Sequence, residues 1–387
     1  MPDESVTPFE IDVADDVLAD LRDRLARTRW PEQETVDDWS QGIPLAYLRE
    51  VCDHWQTSYD WRAREARLNR YPQFRTPLTG GGDEPLGIHF IHVRSPVNPA
   101  FPLVLTHGWP GSTAEFMEVI GPLTDPAAHG GDPADAFHVV VPSLPGFGFS
   151  DKPARIGWGV DRIAAAWDEL MVRLGHHRYG AQGGDWGSMI TTRIGVQNLG
   201  HCAGIHVNMP IARPSATDAA ELSGEERAIV DKLTHYQQQE SGYSKQQSTR
   251  PQTVGYGLVD SPAGLAGWIL EKYWAWTDNE GRPEDAISRD ELLDNVMLYW
   301  LNGTGASSAR LYWESFGRAG GGGATVVIPT GVSQFPEEIM GASRRWADRV
   351  YTDIRHWNVL PRGGHFAAFE EPDLYVDELR TFFRQVR

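Results

Sequence analysis

Five short apolar segments between residues 87 and 210 constrain the fold more than any other feature of this chain. Stretches such as LVLT and HVVVP are apolar almost throughout, which is typical of strands in a parallel sheet that is buried on both faces. Helical patterns lie between these segments, and GVDRIAAAWDELMVRLG is the clearest of them. Because strands alternate with helices, we predict an α/β fold with a mostly parallel sheet and right-handed crossovers. The five predicted strands are GIHFIHV, FPLVLTHG, FHVVVPSLPG, RYGAQGG and GIHVNMP.

Three further regions flank or interrupt this alternation. Residues 5–80 are predicted to be mostly helical and carry no catalytic motif, so we interpret them as a packing extension. The stretch that follows the fifth strand is helical and rich in aromatic residues, which favours a cap inserted into the core. Strand patterns then return in ATVVIPTG (324–331) and IRHWNVLPRGGHF (354–366), and the preceding GRAGGGGA (317–324) is typical of a flexible connection. The predicted divisions are an N-terminal extension (1–85), a first core segment (86–210), a helical cap (211–320) and a second core segment (321–387).

Composition narrows the classes of partner and compartment. The formal net charge of −18 argues against binding to nucleic acid or to anionic membranes, since their phosphates would be repelled. The N-terminal stretch MPDESVTPFEIDVADD has no basic region followed by an apolar one, and no apolar run approaches the ~20 residues that cross a bilayer. Cys52 and Cys202 do not form a disulfide framework. We therefore expect a cytoplasmic protein without a membrane anchor, and the sequence leaves open whether it forms a homo-oligomer.

A carboxylate occupies the position where many hydrolases carry a serine nucleophile. The segment AQGGDWGSMI has the pattern Gly-x-nucleophile-x-Gly at the end of a predicted strand, with Asp185 in the central position. A sharp turn from strand to helix needs small residues at Gly183 and Gly187, and it projects the central side chain above the sheet. The pattern by itself is weak, because aspartates are common in exposed turns.

Three other segments follow predicted strands in the order that a nucleophile-elbow fold requires. LTHGWPGS would provide the backbone N–H of Trp109 for an oxyanion hole, and Trp186 would provide the second N–H. RGGHFAAFEEP carries His365, the candidate general base, after the last strand. IPTGVSQFPEEI offers Glu337 and Glu338, and either could orient the histidine. Ligands of α/β sheets bind at the carboxyl edge of the strands, so the four segments together indicate an active site.

The carboxylate at the elbow indicates which reaction the site performs. A carboxylate is ionised at neutral pH and can attack a saturated carbon without a base, which leaves an ester on the enzyme. His365 would then activate the water that hydrolyses this ester. The oxyanion hole would serve this second step, because the tetrahedral intermediate forms on the carboxyl carbon of Asp185. This chemistry favours epoxide opening or halide displacement over ordinary ester hydrolysis, and it predicts neither a metal nor a cofactor.

The sequence resembles the microsomal-type epoxide hydrolases of the α/β-hydrolase superfamily over nearly its whole length. The resemblance implies an enzyme that converts an epoxide and water to a vicinal diol. Within that family the chain is most similar to soluble actinobacterial members, some of which act in polyketide and enediyne antibiotic biosynthesis. We therefore expect no membrane-anchor helix of the kind that animal members carry. The motifs that carry the resemblance are PFEIDVADDVLADLRDRLARTRWP, HGWPGS, PSLPGFGFSDKP, GGDWG, ESGY, DSPAGLAGWILEKYW, NVMLYWLNGTGASSARLYWES, IPTGVSQFPEE and RGGHFAAFEEP.

The same resemblance implies roles for three further residues. The family pattern Phe-Pro-x-acid points to Glu338 rather than Glu337. It also implies two cap tyrosines that bind the epoxide oxygen, and the matching positions are Tyr243 and Tyr312. A phenol is a suitable donor because it stays protonated at neutral pH.

Two other functions are compatible with parts of this pattern. A haloalkane dehalogenase also uses an aspartate nucleophile that is often followed by tryptophan, but Trp109 occupies the place where an asparagine would bind the halide. A non-catalytic binding protein on the same fold would be expected to lack part of the catalytic set. The aromatic residues of the predicted cap favour an apolar or an aromatic epoxide as the small-molecule substrate, unless most of them belong to the packed core. They are Trp268, Tyr273, Trp274, Trp276, Tyr299 and Trp300.

Overall fold

A nine-stranded mixed sheet lies at the centre of the residues that the computed structural model describes, 4–316 and 325–387. The strand order is β1-β2-β3-β5-β4-β6-β7-β8-β9. Strands β4 to β9 pair in parallel with one another. Strands β1, β2 and β3 form an antiparallel edge of the sheet, and β3 joins this edge to β5. The strands are β1 (Thr7–Phe9), β2 (Gln73–Leu78), β3 (Leu86–Val93), β4 (Phe101–Thr106), β5 (Phe137–Pro142), β6 (Tyr179–Gly183), β7 (Cys202–Val207), β8 (Thr330–Gln334) and β9 (Ile354–Val359).

The prediction of an α/β fold with a mostly parallel sheet is confirmed. The five strands expected between residues 87 and 210 are β3 to β7, and IRHWNVLPRGGHF begins with β9. The strand expected at 324–331 starts later, because only Val326 forms an isolated bridge, to Tyr351, before β8 begins at Thr330. The predicted flexible connection at 317–324 lies outside the described residues.

Sixteen α-helices surround the sheet within the described ranges. Helices α5 and α6 pack against each other, as do α4 and α16. The helices are α1 (Asp15–Ala26), α2 (Leu45–Thr57), α3 (Trp61–Leu68), α4 (Met117–Thr124), α5 (Val160–Arg173), α6 (Asp185–Gln197), α7 (Ala216–Ala220), α8 (Gly224–His235), α9 (Gly242–Thr249), α10 (Pro251–Asp260), α11 (Pro262–Trp276), α12 (Arg289–Trp300), α13 (Gly305–Phe316), α14 (Arg344–Ala347), α15 (Ala367–Glu370) and α16 (Pro372–Phe383).

The N-terminal extension contains two strands as well as helices, so the expectation of a mostly helical segment was incomplete. Strand β1 pairs with β2, and β2 pairs with β3. The sequence QFRTPL of β2 is half polar and carries a proline, so neither its composition nor its length marks it as a strand. It pairs antiparallel with β3, the next strand along the chain, across the turn TGGGDEP (79–85), and its other edge pairs with β1.

Helices α7 to α13 lie between β7 and β8, so the region predicted as a cap is an insertion between two parallel strands. The N-terminal extension holds α12 through a buried charge cluster. The carboxylate of Asp294 is fully buried and accepts hydrogen bonds from Tyr59, Arg64 and Arg67. Removal of one partner of such a cluster costs about 3–5 kcal/mol, since the remaining charge stays buried without compensation. The extension therefore fixes the inserted helices relative to the sheet.

Two further expectations concern the membrane and the cysteines. Among residues 4–316 and 325–387, none of the helices is both long and apolar enough to cross a bilayer. Cys52 and Cys202 are free, buried thiols.

Candidate active site

Asp185 stands at a sharp turn between β6 and α6. Its backbone has a φ of +48°, in the left-handed region that is unfavourable for residues other than glycine. The neighbouring glycines are required by space: a Cβ on Gly183 would overlap the backbone of Gly187, and a Cβ on Gly187 would overlap the carbonyl oxygen of Thr106. The strand, the strained residue and the helix form the turn that the sequence predicts, and they place the carboxyl group at the carboxyl edge of the sheet.

The loop after β4 contacts one oxygen of this carboxylate. The backbone N–H of Trp109 donates a hydrogen bond of 2.7 Å to Oδ1 of Asp185. A Cβ on Gly108 would overlap the same carboxyl group, so only glycine allows this approach. Helix α12 fixes the loop, because Asn295 donates to the carbonyl oxygen of Pro110 and Tyr299 to that of Gly111, each at 2.7 Å.

Trp186, the second predicted oxyanion donor, contacts the site through its side chain. It is the second residue of α6, within the first turn, where backbone N–H groups have no partner inside the helix. Within the described residues its N–H makes no hydrogen bond to the Asp185 carboxylate. Its ring lies edge-on to Tyr312, with 4.6 Å between the ring centroids.

The second oxygen of Asp185 faces a histidine–glutamate pair. Nε2 of His365 lies 3.2 Å from Oδ2 of Asp185, and Nδ1 lies 2.7 Å from Oε1 of Glu338. The three side chains are almost completely buried. Nε2 is close enough to Oδ2 to form an ion pair with it when the imidazole is protonated. Glu337 points away from this group and pairs with Lys232 at 3.1 Å, so the structure brings Glu338 to the histidine and Glu337 to the surface.

Backbone contacts hold the loops after β8 and β9 together. The N–H of Glu337 donates to the carbonyl oxygen of Gly363, and Glu337 forms an isolated parallel bridge with Gly364. The N–H of His365 donates to the carbonyl oxygen of Trp276 at the end of α11. The ring of Trp276 lies 5.0 Å from the imidazole, so the inserted helices also restrict the histidine.

The charges around His365 determine its protonation. Burial by itself would lower the pKa of His365, but the negative charges of Glu338 and Asp185 outweigh burial and raise that pKa well above its ordinary value. With both carboxylates ionised, the imidazole is therefore held as the cation. A base needs the neutral form, so loss of one of the two negative charges would favour the histidine as a base.

The two predicted tyrosines come from α9 and α13 and lie above the carboxylate. Tyr243 is stacked on the indole of Trp109 with 4.8 Å between centroids, and the Tyr312 ring lies 5.8 Å from the Tyr243 ring. Burial raises the pKa of both phenols well above the ordinary value, and the charge of Asp185 adds to the effect. Both therefore remain protonated donors over the whole range in which proteins are studied.

Two polar side chains at the site were not predicted from the sequence. The hydroxyl of Tyr236 lies 2.8 Å from that of Tyr243. Glu115, in the turn that precedes α4, has its pKa raised to about 8 by burial, while the nearby charge of His365 lowers it and that of Asp185 raises it. Neither residue carries a local signal, because the surrounding stretches THYQQQ and STAEF contain no catalytic motif. No group of three or more His, Cys, Asp or Glu residues that could hold a metal ion occurs within the described ranges.

A cavity of about 770 Å³ borders Tyr243 between the N-terminal extension and helices α9 and α11. Its wall includes three tryptophans, and the indoles of Trp39 and Trp274 are stacked with 4.7 Å between centroids. Of the aromatic residues predicted to contact substrate, Trp268 and Trp274 line this cavity, whereas Tyr273 and Tyr299 are buried in the packing of the inserted helices.

Family models and related sequences point to the same protein family. Residues 6–116 match the family model described as the epoxide hydrolase N terminus, and residues 102–230 match that of the alpha/beta hydrolase fold. A protein of Stigmatella aurantiaca (strain DW4/3-1) named as an epoxide hydrolase is 54% identical over 99% of this chain and 86% of its own length. Epoxide hydrolase 1 of Sus scrofa is 37% identical over 98% of this chain and 89% of its own length.

Solved structures agree with the sequence relatives. The juvenile hormone epoxide hydrolase of the silkworm Bombyx mori superposes with a TM-score of 0.89 at 29% identity, covering 99% of this chain and 95% of that one. The Aspergillus niger epoxide hydrolase superposes with a TM-score of 0.87 at 31% identity, covering 99% and 97%. The resemblance inferred from the motifs is thereby confirmed: the chain belongs to the epoxide hydrolase family and has the α/β-hydrolase fold.

Proposed function

We propose that this enzyme opens an epoxide through a covalent ester on Asp185 and then hydrolyses that ester to a vicinal diol. The observation that carries the proposal is the different environment of the two carboxylate oxygens. Oδ1 accepts a hydrogen bond from the Trp109 N–H, whereas Oδ2 lies beside Nε2 of His365. One oxygen is thus held in the oxyanion position and the other is the nucleophile.

In the first step, Oδ2 attacks an epoxide carbon while the bond from that carbon to the epoxide oxygen breaks. The electron pair moves to the oxygen, and a proton from Tyr243 or Tyr312 neutralises the alkoxide. The proton that His365 releases once the Asp185 charge is lost restores that phenol and leaves the imidazole neutral. Without such donors the alkoxide is a poor leaving group, because its conjugate acid is far weaker than a phenol. The buried position of both phenols strengthens their hydrogen bonds in the transition state.

In the second step, His365 removes a proton from water, and the resulting hydroxide attacks Cγ of the Asp185 ester. Oδ1 then carries the negative charge of the tetrahedral intermediate, and the Trp109 N–H is already aligned with it. Collapse of the intermediate breaks the bond between Cγ and Oδ2, and the protonated His365 gives its proton to the leaving alkoxide oxygen. The diol therefore leaves with the former nucleophilic oxygen, and the oxygen of water remains in the carboxylate of Asp185.

Formation of the ester also changes the state of the base. The Asp185 carboxylate is one of the two negative charges that raise the pKa of His365. The ester is neutral, so this contribution is lost when the substrate is attached, and the pKa of His365 falls. Ester formation thus prepares the histidine to accept a proton in the step that needs it.

An apolar, aromatic epoxide fits the surroundings of the nucleophile. Four aromatic rings that belong to Trp109, Trp186, Trp276 and Phe316 contact the two tyrosines or the histidine. The cavity beside Tyr243 has further tryptophans in its wall. Such walls favour ligands with large apolar or aromatic groups over small polar ones. The assignments to the cytoplasm and to antibiotic biosynthesis, the predicted segment boundaries and a homo-oligomeric state remain predictions.

The test is turnover of a panel of aryl and alkyl epoxides by the purified enzyme and by its Asp185→Ala variant, with the diols resolved by chirality. We expect diol from the wild type, faster for aryl epoxides, and none above background from the variant. Chloride release from a haloalkane without any diol formation would show a dehalogenase instead. Tight binding of epoxides without turnover would show a binding protein.

A further inference from the structure

A third tyrosine contacts the predicted proton donors. Tyr236 begins a five-residue π-helical turn, Tyr236–Glu240, between α8 and α9. Its hydroxyl oxygen lies 2.8 Å from the hydroxyl oxygen of Tyr243, and either group could donate this hydrogen bond. Tyr236 is only partly buried, whereas Tyr243 is almost completely buried. The pair therefore joins a residue near the surface to a donor at the nucleophile.

The local backbone makes this contact possible. Residues seven apart in a straight α-helix lie roughly 10 Å apart along the axis. Here a π-helical turn and a break at Ser241 separate the two tyrosines, and their side chains converge. π-Helical turns are rare and often occur at functional sites, because the sequence must accept a wider and less stable turn.

The direction of the hydrogen bond follows from the proposed chemistry. Each phenol has one proton, and Tyr243 must direct its own proton at the epoxide oxygen to help the ring open. The bond between the two hydroxyls must then use the proton of Tyr236, with the oxygen of Tyr243 as acceptor. Negative charge develops on that oxygen as Tyr243 gives up its proton, so the bond from Tyr236 strengthens in the transition state.

The state of Tyr236 is compatible with this role. Burial raises the pKa of Tyr236 to about 12. The phenol is therefore a protonated donor throughout the range in which the enzyme can be assayed. Nearby Asp185 and Glu338 contribute negative charge that also disfavours a phenolate at this position.

We propose that Tyr236 is a positioning residue for ring opening, which donates to Tyr243 and thereby aims the Tyr243 proton at the epoxide oxygen. This inference rests on the proposed function, because it needs Tyr243 to act on the epoxide. It assigns Tyr236 to the first step alone, since no tyrosine proton is needed at the ester carbon during hydrolysis.

The test is a double-mutant cycle followed by single-turnover kinetics. Tyr236→Phe removes only the hydroxyl, and formation and decay of the ester can be followed separately by mass spectrometry of quenched samples. We expect ester formation to slow by roughly 5- to 15-fold, as for the loss of one hydrogen bond, while ester hydrolysis stays within about twofold. In the Tyr243→Phe background, the same substitution should slow ester formation by less than about twofold, because the two changes share one interaction.

Tyr256→Phe is the matched control, because it removes a hydroxyl from a tyrosine that is 71% exposed on α10. Melting temperatures of both variants equal to that of the wild type would show that the fold is intact. Full additivity with Tyr243→Phe, an equal loss in both steps, or wild-type ester formation in Tyr236→Phe would overturn the inference. If the wild type forms no ester with any epoxide, the proposed function itself fails, which is a different result. If Tyr236→Phe folds poorly, the same double-mutant cycle is carried out with Tyr236→Leu. A smaller effect in the Tyr243→Phe background would again support the inference, and full additivity would overturn it.

Discussion

The two halves of the active site lie on different elements of the fold and differ in charge. The half at the carboxyl edge of the sheet, here called the lower half, consists of Asp185, Glu338 and His365, which follow strands of the parallel sheet. The half on the inserted helices, here called the upper half, consists of the neutral phenols of α9 and α13. Backbone turns and glycines fix the lower half, whereas aromatic stacking fixes the upper one.

This difference assigns the halves to different steps. Charge is needed in the lower half for both steps, because a carboxylate must attack and an imidazole must later accept a proton. The upper half donates protons or hydrogen bonds to the epoxide oxygen, which takes part only in ring opening. Substitutions in the lower half should therefore stop or trap the reaction, and substitutions in the upper half should slow one step.

The largest effects are expected for the nucleophile and the base. Asp185→Ala should form no covalent adduct, because the attacking oxygen is absent. His365→Ala should still form the ester but hydrolyse it roughly 10²- to 10⁴-fold more slowly, so the ester should accumulate. Intact-protein mass spectrometry under single-turnover conditions measures both outcomes. A His365→Ala enzyme that shows no mass increase equal to the substrate would contradict the division into two steps.

A smaller effect is expected for the two phenols above the carboxylate. Tyr243→Phe and Tyr312→Phe should each slow ester formation by roughly 5- to 150-fold, the equivalent of about 1–3 kcal/mol for a hydrogen bond in a buried site. Ester hydrolysis should change much less, because neither phenol acts on the ester carbon. Rapid-quench measurement of both steps separates these effects. If both variants form the ester at the wild-type rate, the tyrosines serve only in packing.

The two adjacent glutamates allow a matched test of the lower half. Glu338→Gln should slow ester hydrolysis by roughly 10- to 150-fold, since it removes a charged hydrogen bond of about 1.5–3 kcal/mol to His365. Glu337→Gln should leave both steps within about twofold, because its ion pair with Lys232 is exposed. Comparison of ester decay in the two variants decides between the residues. Equal slowing of ester hydrolysis in both variants would show that Glu338 has no specific role at His365.

The pH dependence should differ between the free enzyme and the ester. In the free enzyme, Asp185 and Glu338 raise the pKa of His365 well above its ordinary value. The ester removes one of these charges, so hydrolysis should increase with pH through a midpoint that lies below the pKa of His365 in the free enzyme. Single-turnover ester decay gives the first value, and NMR titration of the imidazole gives the second. A midpoint at or above the free-enzyme pKa would contradict this account.

The sequence predicted the lower half of the site more completely than the upper half. Asp185 and the Trp109 loop follow the buried strands β6 and β4, His365 follows β9, and all three are flanked by glycines, so local patterns mark them. The choice between Glu337 and Glu338 could not be made from those patterns alone, because adjacent loop residues point in opposite directions. The structure places Glu338 at the histidine, as the family resemblance implies.

The upper half depends on contacts that the sequence does not display. Tyr243 and Tyr312 were predicted from the family resemblance, because no local sequence pattern marks them. Tyr236 was missed because its contact needs a π-helical turn, which no periodicity predicts. Strand β1 was missed for a similar reason, since it joins the sheet only by pairing with β2, more than 60 residues further along the chain. Catalytic residues that belong to local motifs can thus be predicted from the sequence. Contacts between elements that are distant along the chain are harder to predict.

The most direct test of the covalent mechanism is the destination of the oxygen atom from water. Excess enzyme is taken through one turnover in heavy-oxygen water, and the diol and the peptide that contains Asp185 are analysed by mass spectrometry. The covalent mechanism predicts an unlabelled diol and a labelled Asp185 carboxylate, because activated water attacks the ester carbon and not the substrate. A labelled diol together with an unlabelled peptide would show direct attack of water on the epoxide and would contradict the covalent mechanism.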